Sequence, residues 1–255
     1  AAMLPIFASR NGSQAPFIGL IGHSHMDTAW LWPVKETIRK CARTYANALS
    51  MMDQYHDYMF VQAAPLHAEW MRDYYPDIFR GMQQRVKEGR WEPNGGMFVE
   101  PDCNMPAGES MVRQFLVGQT MNQEMYGYRS NAYWQPDVFG YSSAIPQIMK
   151  GCGIDYFLTT KLSWNDTNKF PYDCFIWKGQ DGTEVIAHFN AIHAWPDASG
   201  VMQLWNNTQH HDVQDRRLFS YGFGDGGGGP VYEMIECTRR LENLQGCPRT
   251  RHITV

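Results

Sequence analysis

The stretch that decides the fold is IGHSHMDTAWLWP, at residues 21–33, which overlaps the end of the apolar run FIGLI at residues 17–21. A short and almost unbroken apolar run is typical of a strand that is buried on both faces of a parallel sheet. Polar residues follow at once, with His23, His25 and Asp27 at alternate positions. Because residues two apart in an extended chain point to the same side, we expect His25 and Asp27 to converge on one point.

An imidazole nitrogen beside a carboxylate oxygen makes up half of a zinc-type ligand set, so this segment predicts a metal site. Trp30, Leu31 and Trp32 add an apolar, aromatic rim to the same segment. The alternative interpretation is that His25 and Asp27 only cap the following helix. An isolated H-x-D pattern is short and favours that capping role. Here the neighbouring motifs favour the metal site instead.

Size and composition limit the class of protein. The chain has 255 residues, 44% hydrophobic and 19% charged, which suits one large α/β domain or a part of something bigger. A net charge of −4 predicts no nucleic-acid partner and no anionic membrane. Six cysteines without a C-x-x-C pair indicate reduced thiols. With no signal-peptide pattern and no apolar run of transmembrane length, we expect a cytoplasmic protein; an oligomer is compatible with the sequence.

Hydrophobic periodicity and turn residues divide the chain into alternating strands and helices. Besides residues 17–21, the predicted strands cover 58–62, 91–100, 131–135, 156–160, 175–178, 184–189 and 218–221, and a Gly-Gly bend interrupts the strand at 91–100. A helix is predicted after Pro33, and further helices cover 68–74, 77–87, 108–126, a short segment ending at 150–151, and 231–244. Residues 1–15 are interpreted as an N-terminal edge or linker, and residues 252–255 as the start of another strand.

Alternating strands and helices joined by short loops predict a parallel sheet with outer helices, and their number suits a β/α barrel better than a flat sheet. Reactive groups in such folds lie at the C-terminal ends of the strands. Six ligand-type or acidic residues follow predicted strands in this way: His25, Asp27, Glu100, Asp102, Asp137 and Asp225. This repeated placement predicts an active site at that edge of the sheet.

Two of these acidic residues have plain structural alternatives. Asp137, in WQPDVFGYS, is the natural third metal ligand, but an aspartate after Pro136 is also a common turn residue. Asp225 lies in GDGGGG, where it either ends a strand in a mobile loop or serves as an exposed catalytic acid. Glycines favour the second interpretation because they let a ligand approach the backbone closely.

Four motifs in order carry a resemblance to a known family. They are IGHSHMDTAWLWP at 21–33, GGMFVEPDCNMPAGESMVRQF at 95–115, WQPDVFGYSSAIPQIMKGCGI at 134–154 and YGFGDGGGGP at 221–230. Together they closely resemble the α-mannosidases of glycoside hydrolase family 38, in particular the branch that includes cytosolic and bacterial enzymes. The resemblance runs from about Gly19 to Pro230, which is most of the chain.

This resemblance implies a retaining hydrolase of terminal α-mannosides on a seven-stranded β/α barrel, acting on mannose-containing oligosaccharides. It implies Zn²⁺ as the cofactor, held by His25, Asp27 and Asp137, with Asp137 also the nucleophile that forms a covalent glycosyl-aspartate. Trp30 matches the family's aromatic residue after H-x-D and is expected to stack on the sugar. Asp102 is assigned to substrate binding, and a second carboxyl protonates the leaving oxygen.

The chain departs from the family pattern in two places. Better-known relatives carry the acid in a Gly-Asp-Asp turn, whereas this chain has Gly-Asp-Gly, so Asp225 is either the acid or a substrate-binding neighbour. The family's last zinc ligand belongs to a Q-x-H-D element after the glycine-rich turn. Here the matching segment, residues 209–212, precedes that turn, so we interpret His211 as part of a surface loop. We therefore expect residues 16–255 to be a truncated catalytic domain, with that ligand and the downstream helical and all-β domains beyond Val255, and its barrel to be incomplete.

Two other functions remain open at this point. Metal-dependent carbohydrate deacetylases also use a β/α barrel with His and Asp ligands, but they need further paired histidines, and no H-x-x-x-H pair follows Asp27. A non-catalytic mannose-binding remnant of an enzyme is the third interpretation. An activated aryl α-mannoside, assayed with and without chelator, separates the three.

Overall fold

The computed structural model describes Pro5, Ala8 and residues 9–255, and for residues 191–193 it describes the backbone alone. The N-terminal segment predicted as an edge or linker, residues 1–15, therefore lies partly outside the described residues. Within it, the side-chain amide of Asn11 donates to the carbonyls of Leu244 and Cys247, each at 2.9 Å. This part of the segment packs against the loop that follows the last helix.

The helices lie where apolar residues recur at three- and four-residue intervals. Within residues 9–255 they are α1 Val34–Gln54, α2 Pro65–Tyr74, α3 Pro76–Lys87, α4 Gly108–Tyr126, α5 Ile145–Gly151, α6 Ala198–Asn206 and α7 Tyr232–Leu241. The bounds of α4 are those predicted from the sequence, because Gly127 ends it in a left-handed conformation with φ 66°. Helix α6 was not predicted. None of the helices in the described part of the chain is long and apolar enough to cross a bilayer.

The strands form two sheets. They are β1 Phe17–His23, β2 Phe60–Val61, β3 Trp91–Glu92, β4 Ala132–Gln135, β5 Tyr156–Thr159, β6 Cys174–Lys178, β7 Glu184–Phe189, β8 Ala191–Ala194, β9 Arg216–Tyr221 and β10 Arg249–His252. The large sheet has the order β3-β2-β1-β9-β8, with β10 paired to the first half of β1. The small sheet has the order β4-β5-β7-β6. The parallel strands and outer helices of the predicted α/β fold are therefore present.

Two details differ from the prediction. Strand β6 runs antiparallel to β7, because the five-residue connection at 179–183 is too short for a parallel crossover. The predicted seven-stranded barrel is also not closed by strand pairing. The predicted strand at 91–100 ends at Glu92, since Pro93 has no N–H to donate and Gly96 takes a left-handed φ of 76°. The small sheet therefore has no continuous ladder to the large one.

A few contacts join the two sheets. The backbone amide of Trp134 lies 3.4 Å from the carbonyl oxygen of Gly95. On the opposite side, the Arg217 guanidinium from β9 donates to the carbonyl of Phe189 at 2.7 Å and pairs with Asp173 at 3.0 Å. Apolar side chains from both sheets fill the space between them, namely Ile21, Val61, Trp134 and Leu158. Each such side chain contributes about 1.5–3 kcal/mol on burial, so this small core holds the sheets face to face.

Candidate metal and catalytic site

Three ligand-type side chains meet beyond the C-terminal ends of β1 and β4. His25 Nε2 lies 3.7 Å from an oxygen of Asp27 and 3.4 Å from an oxygen of Asp137. One donor atom from each residue lies within 4.8 Å of the other two. The imidazole is buried, whereas the Asp27 and Asp137 side chains are 29% and 22% exposed, so solvent reaches the group from the carboxylate side. The structure thus brings together the three residues that the sequence predicted as metal ligands.

The group spans the gap between the two sheets. His25 and Asp27 follow β1, the strand of the large sheet that pairs with β2, β9 and β10. Asp137 follows β4 at the edge of the small sheet. Directly beneath them, the indole N–H of Trp134 donates to His23 Nε2 at 3.0 Å and joins the two strands. His23, the last residue of β1, therefore contacts the other sheet, and His25 lies beyond the strand end in the site.

Donor spacing in the group fits a divalent cation. Zinc binds imidazole nitrogen and carboxylate oxygen at about 2.0–2.2 Å, which puts neighbouring donors of a tetrahedral site about 3.4 Å apart. His25 lies 3.4 Å from Asp137 and 3.7 Å from Asp27, close to that spacing. Imidazole and carboxylate donors suit several first-row metals, so the donor set indicates a metal site without selecting one metal.

Glu100 supplies a third carboxylate that the sequence placed at a strand end without a role. Its oxygen lies 3.3 Å from His25 Nδ1, the ring nitrogen that faces away from Asp137. Burial lowers the pKa of His25, but Glu100, Asp137 and Asp27 together raise the pKa well above its ordinary value of 6.5. A carboxylate on the second ring nitrogen orients a metal-binding histidine and increases its basicity. Glu100 is placed for that role.

Lys161 is a site residue that sequence reasoning missed. Its Nζ lies 2.6 Å from an oxygen of Asp137, and the lysine side chain is only 8% exposed. The ammonium also lies over two aromatic rings, 3.5 Å from the centroid of Trp164 and 4.5 Å from that of Phe139. Burial alone would raise the pKa of Asp137, but His25 and Lys161 lower it to about 2. Asp137 is therefore a carboxylate with a fixed counter-charge.

A buried histidine, also missed, lies behind the metal-type group. His67 Nε2 is 3.1 Å from the hydroxyl of Thr28, and its ring stacks on Trp70. Burial, with a contribution from His25, lowers the pKa of His67 to about 4. The neutral ring supports the segment that carries Asp27, because Thr28 is the next residue along the chain.

The two residues predicted to bind substrate lie at the surface. Trp30 is 59% exposed, with its ring 5.5 Å from Trp32 in an edge-to-face arrangement. It presents a free aromatic face, as sugar stacking requires. Asp102 is exposed, and one of its carboxylate oxygens accepts hydrogen bonds from the amides of Asn104 and Met105 at 2.8 and 2.7 Å. These bonds lower the pKa of Asp102 and give it a turn-forming role beside any contact with a ligand.

Asp225 and His211 lie outside the metal-type group. Asp225 is exposed in the loop after β9 and has a left-handed φ of 47°, which a non-glycine residue seldom adopts. His211 is also exposed and packs against Trp205 near the end of α6, with ring centroids 4.5 Å apart. Among the described residues, the ligand group consists of His25, Asp27 and Asp137 without His211.

A cavity of about 740 Å³ lies next to the segment that carries Lys161, and none of the three metal-type residues lines it. It begins at Thr160 and Leu162, the two neighbours of Lys161 in the chain. Its wall combines aromatic rings such as Trp164 with amide side chains such as Asn190. Aromatic faces and amide groups suit the apolar faces and hydroxyls of a sugar, and the volume holds a group of that size.

Comparison with known proteins finds relatives that are named α-mannosidases. The chain is 42% identical over 248 residues to Alpha-mannosidase 2C1 of Mus musculus, which covers 96% of this chain and 24% of that protein. It is 38% identical over 228 residues to the Alpha-mannosidase of Saccharomyces cerevisiae, covering 88% of this chain and 21% of that one. The chain therefore spans about a quarter of the length of the curated relatives it matches.

A solved structure has the same fold. An α-mannosidase from Enterococcus faecalis superposes with a TM-score of 0.73, at 17% identity, over 94% of this chain and 28% of that one. At this level of identity the likeness concerns the fold alone. Residues 16–255 match the family model described as the glycosyl hydrolases family 38 N-terminal domain. The chain therefore belongs to glycosyl hydrolase family 38.

Proposed function

We propose that this chain is the catalytic α/β domain, residues 16–255, of an α-mannosidase that hydrolyses terminal α-mannosides with retention of configuration. The observation that carries the proposal is the His25–Asp27–Asp137 group at the strand ends of a family 38 domain. The relatives named α-mannosidase support the substrate class. Because the chain spans about a quarter of those relatives, the activity is proposed for the whole polypeptide.

The cofactor we propose is Zn²⁺, held by His25, Asp27 and Asp137. The donor spacing and the surrounding negative charge support this assignment. When bound, the ion would supply a Lewis acid that attracts the 2- and 3-hydroxyls of mannose. Glu100, with an oxygen 3.3 Å from the other ring nitrogen of His25, is placed to keep the ring oriented.

Asp137 is the proposed nucleophile. Lys161 and His25 hold it ionised at neutral pH, so its lone pair is available to attack the anomeric carbon as the bond to the leaving oxygen breaks. The product of this step is a mannosyl ester of Asp137. Water then attacks the same carbon from the opposite face, and the Asp137 carboxylate leaves. Trp30 presents its ring for stacking on the sugar, and Asp102 lies at the same edge.

Asp225 is the proposed acid/base residue. In the first step its carboxyl gives a proton to the leaving oxygen, and in the second the resulting carboxylate takes a proton from the attacking water. The Asp225 side chain is exposed and has glycine neighbours, which suits a group that contacts the substrate at the surface of the protein. Mannose-containing oligosaccharides are the proposed substrates.

We also propose that the two sheets are halves of one seven-stranded barrel. Counting β7 and β8 as one strand interrupted at Asn190, the order β9-β1-β2-β3-β4-β5-β7 would return to β9. The bond between Trp134 and Gly95 lies at one seam, and the contacts of Arg217 lie at the other. Strong protection of the Trp134 amide against hydrogen exchange is expected, and exchange as fast as in a surface loop would count against closure.

The test of function is trapping of the intermediate with a fluorinated mannosyl reagent in the metal-loaded full-length protein. Mass spectrometry is expected to find the label on Asp137. Asp137→Ala is expected to be inactive on every substrate, since no covalent ester can form. Asp225→Ala should keep first-step reactivity on activated aryl mannosides, because a good leaving group needs no acid. A label on any residue other than Asp137 would refute the assignment.

A further inference from the structure

The segment from Phe223 to Gly229, here called the glycine loop, is held in place through hydrogen bonds to its backbone. Its ends are joined by two backbone hydrogen bonds between Phe223 and Gly229, at 2.9 and 2.7 Å. Residues 226–229 are all glycine, so this stretch has no side chains with which to bind the rest of the protein. Only its backbone carbonyl and amide groups can therefore form hydrogen bonds with the rest of the protein.

One face of α1 donates hydrogen bonds to those carbonyls. We call it the loop-binding face, and it consists of Lys40, Arg43, Thr44 and Asn47. The spacing i, i+3, i+4 and i+7 places these four side chains on one side of a helix.

Each member of the loop-binding face reaches the chain after β9. Lys40 Nζ and a guanidinium nitrogen of Arg43 lie 3.5 and 3.2 Å from the carbonyl oxygen of Gly226. The same guanidinium nitrogen lies 3.2 Å from the carbonyl of Gly227, which also accepts from the buried hydroxyl of Thr44. Just beyond the glycine loop, the Asn47 amide donates to the carbonyl of Pro230 at 3.3 Å.

The same helix also holds the segment that carries the metal ligands. The hydroxyl of Thr37, in the first turn of α1, donates to the carbonyl of Thr28 at 2.9 Å and accepts from the Trp32 indole at 2.9 Å. Lys40 lies over the Trp32 ring, with its Nζ 4.4 Å from the ring centroid. Helix α1 is therefore bound to the ligand segment at its start and to the glycine loop along its next two turns.

Direct packing brings the two segments together. A Cβ atom at Gly227 would lie 2.3 Å from the terminal methyl of Met26, the residue between the two ligands of the H-x-D motif. Asp225, in contrast, has an exposed side chain. The backbone of the glycine loop therefore determines where the Asp225 carboxyl stands relative to the ligands.

We propose that the loop-binding face of α1 positions Asp225 for proton transfer at the metal-type site. These four side chains are positioning residues, since they act on the backbone of the glycine loop and not on the substrate. The inference rests on the proposed function, in which Asp225 is the acid/base residue. When these hydrogen bonds are lost, the Asp225 carboxyl occupies a wider range of positions. Steps in which Asp225 transfers a proton then become slower, whereas steps that need no proton transfer keep their rate.

The test compares two variants with a control in the metal-loaded full-length protein. Arg43→Met removes two bonds to the glycine loop, and Thr44→Val removes the buried one with little change of shape. The control is Arg39→Met on the same helix, where the side chain is 74% exposed and pairs only with Glu36. Each protein is assayed on two substrates. One is an aryl α-mannoside whose leaving group is a strongly acidic phenol, and the other is an α-linked mannobiose.

Loss of a positioned acid should lower kcat/KM for mannobiose about 10–100-fold, because general acid–base catalysis contributes about 10²–10⁴-fold and misplacement removes part of it. The activated aryl mannoside should lose less than about threefold, and Arg39→Met should resemble the parent on both substrates. Arg43→Lys, which restores one donor, should recover part of the mannobiose activity. Amide hydrogen exchange in residues 226–229 should speed up at least about tenfold in Thr44→Val, since a native contact is lost.

Three results would overturn the inference. Equal losses on both substrates would mean that the face only stabilises the fold, and so would faster loop exchange without a change in substrate selectivity. Unchanged loop exchange in both variants would mean that the face does not hold the glycine loop. A parent protein that cleaves no α-mannoside would instead refute the proposed function, and the inference with it.

Discussion

Replacing Arg217 by methionine is expected to destabilise the fold strongly, because this residue links the two sheets. The side chain is 3% exposed and pairs with Asp173, itself 8% exposed, at 3.0 Å. The same guanidinium nitrogen donates to the hydroxyl of Thr208 at 3.0 Å, and the other terminal nitrogen donates to the carbonyl of Phe189 at 2.7 Å. Methionine keeps much of the apolar length but removes every donor and leaves the carboxylate of Asp173 buried without its partner.

The size of the effect follows from these contacts. A hydrogen bond between uncharged groups contributes about 0.5–1.5 kcal/mol, and one to a charged group about 1.5–3 kcal/mol. Breaking a buried ion pair by removing one partner costs about 3–5 kcal/mol, since the remaining charge stays desolvated. We therefore expect the free energy of unfolding to fall by about 4 kcal/mol. For a domain of this size that corresponds to a fall in Tm of about 8–16 °C.

Urea unfolding at pH 7, followed by tryptophan fluorescence, measures the change. The matched control is Arg216→Met, because the neighbouring arginine is 77% exposed and its pair with Asp215 spans 3.5 Å. That control should change the free energy by less than about 0.5 kcal/mol. Adding Asp173→Asn to Arg217→Met should restore part of the loss by removing the buried charge. An Arg217→Met protein within about 1 kcal/mol of the parent would refute the reasoning.

Three further predictions concern the site and the pH dependence. Lys161→Met should lower kcat about 10–100-fold, because a charge-assisted hydrogen bond to Asp137 contributes about 1.5–3 kcal/mol. Lys161→Arg should show a smaller fall in kcat, and a kcat of Lys161→Met equal to that of the parent would contradict this prediction. Glu100→Gln should weaken metal binding about 10–100-fold in a chelator competition, as removal of a carboxylate behind a ligand histidine does elsewhere. Burial lowers the pKa of His188 to about 3 and that of His252 to about 4, from an ordinary value of 6.5. Protonation of these two histidines therefore favours the unfolded chain, so their contribution to stability should be full above about pH 6.5 and fall towards pH 4. A urea midpoint that does not fall between pH 7 and pH 5 would contradict this.

Local rules were enough to locate all the described helices except α6, and the first two site residues. The apolar periodicity of α1 and the glycine after α4 depend on nearby residues alone, so a sequence contains them. The same holds for His25 and Asp27, whose separation of two residues places them together on an extended chain. Asp137 could be added because it follows a predicted strand, and reactive groups of α/β folds lie at the C-terminal ends of strands.

Contacts between distant segments could not be predicted in that way. Lys161 lies in a short 3-10 turn after β5, and neither periodicity nor a motif distinguishes it from a surface lysine. Its place beside Asp137 follows from the parallel pairing of β4 and β5, which puts the two segments that follow these strands side by side. Glu100 was predicted at a strand end, but its contact with His25 depends on the whole segment 93–99 leaving the strand, and the sequence indicated only a bend at the Gly-Gly pair. Helix α6 was missed because ASGVMQLWN is too short to show a clear period.

The two proposed catalytic carboxyls stand on different sheets, Asp137 on the small one and Asp225 on the large one. Had both belonged to one sheet, strand spacing alone would fix the gap between them. Glycosidases whose carboxyls are about 5–5.5 Å apart retain the anomeric configuration of the sugar, whereas a gap of about 6.5–9.5 Å admits a water and inverts it. The stereochemical outcome of the proposed reaction is therefore decided by how the sheets dock. Residues such as Arg217, which join the two sheets, then help to set the gap between the two proposed carboxyls.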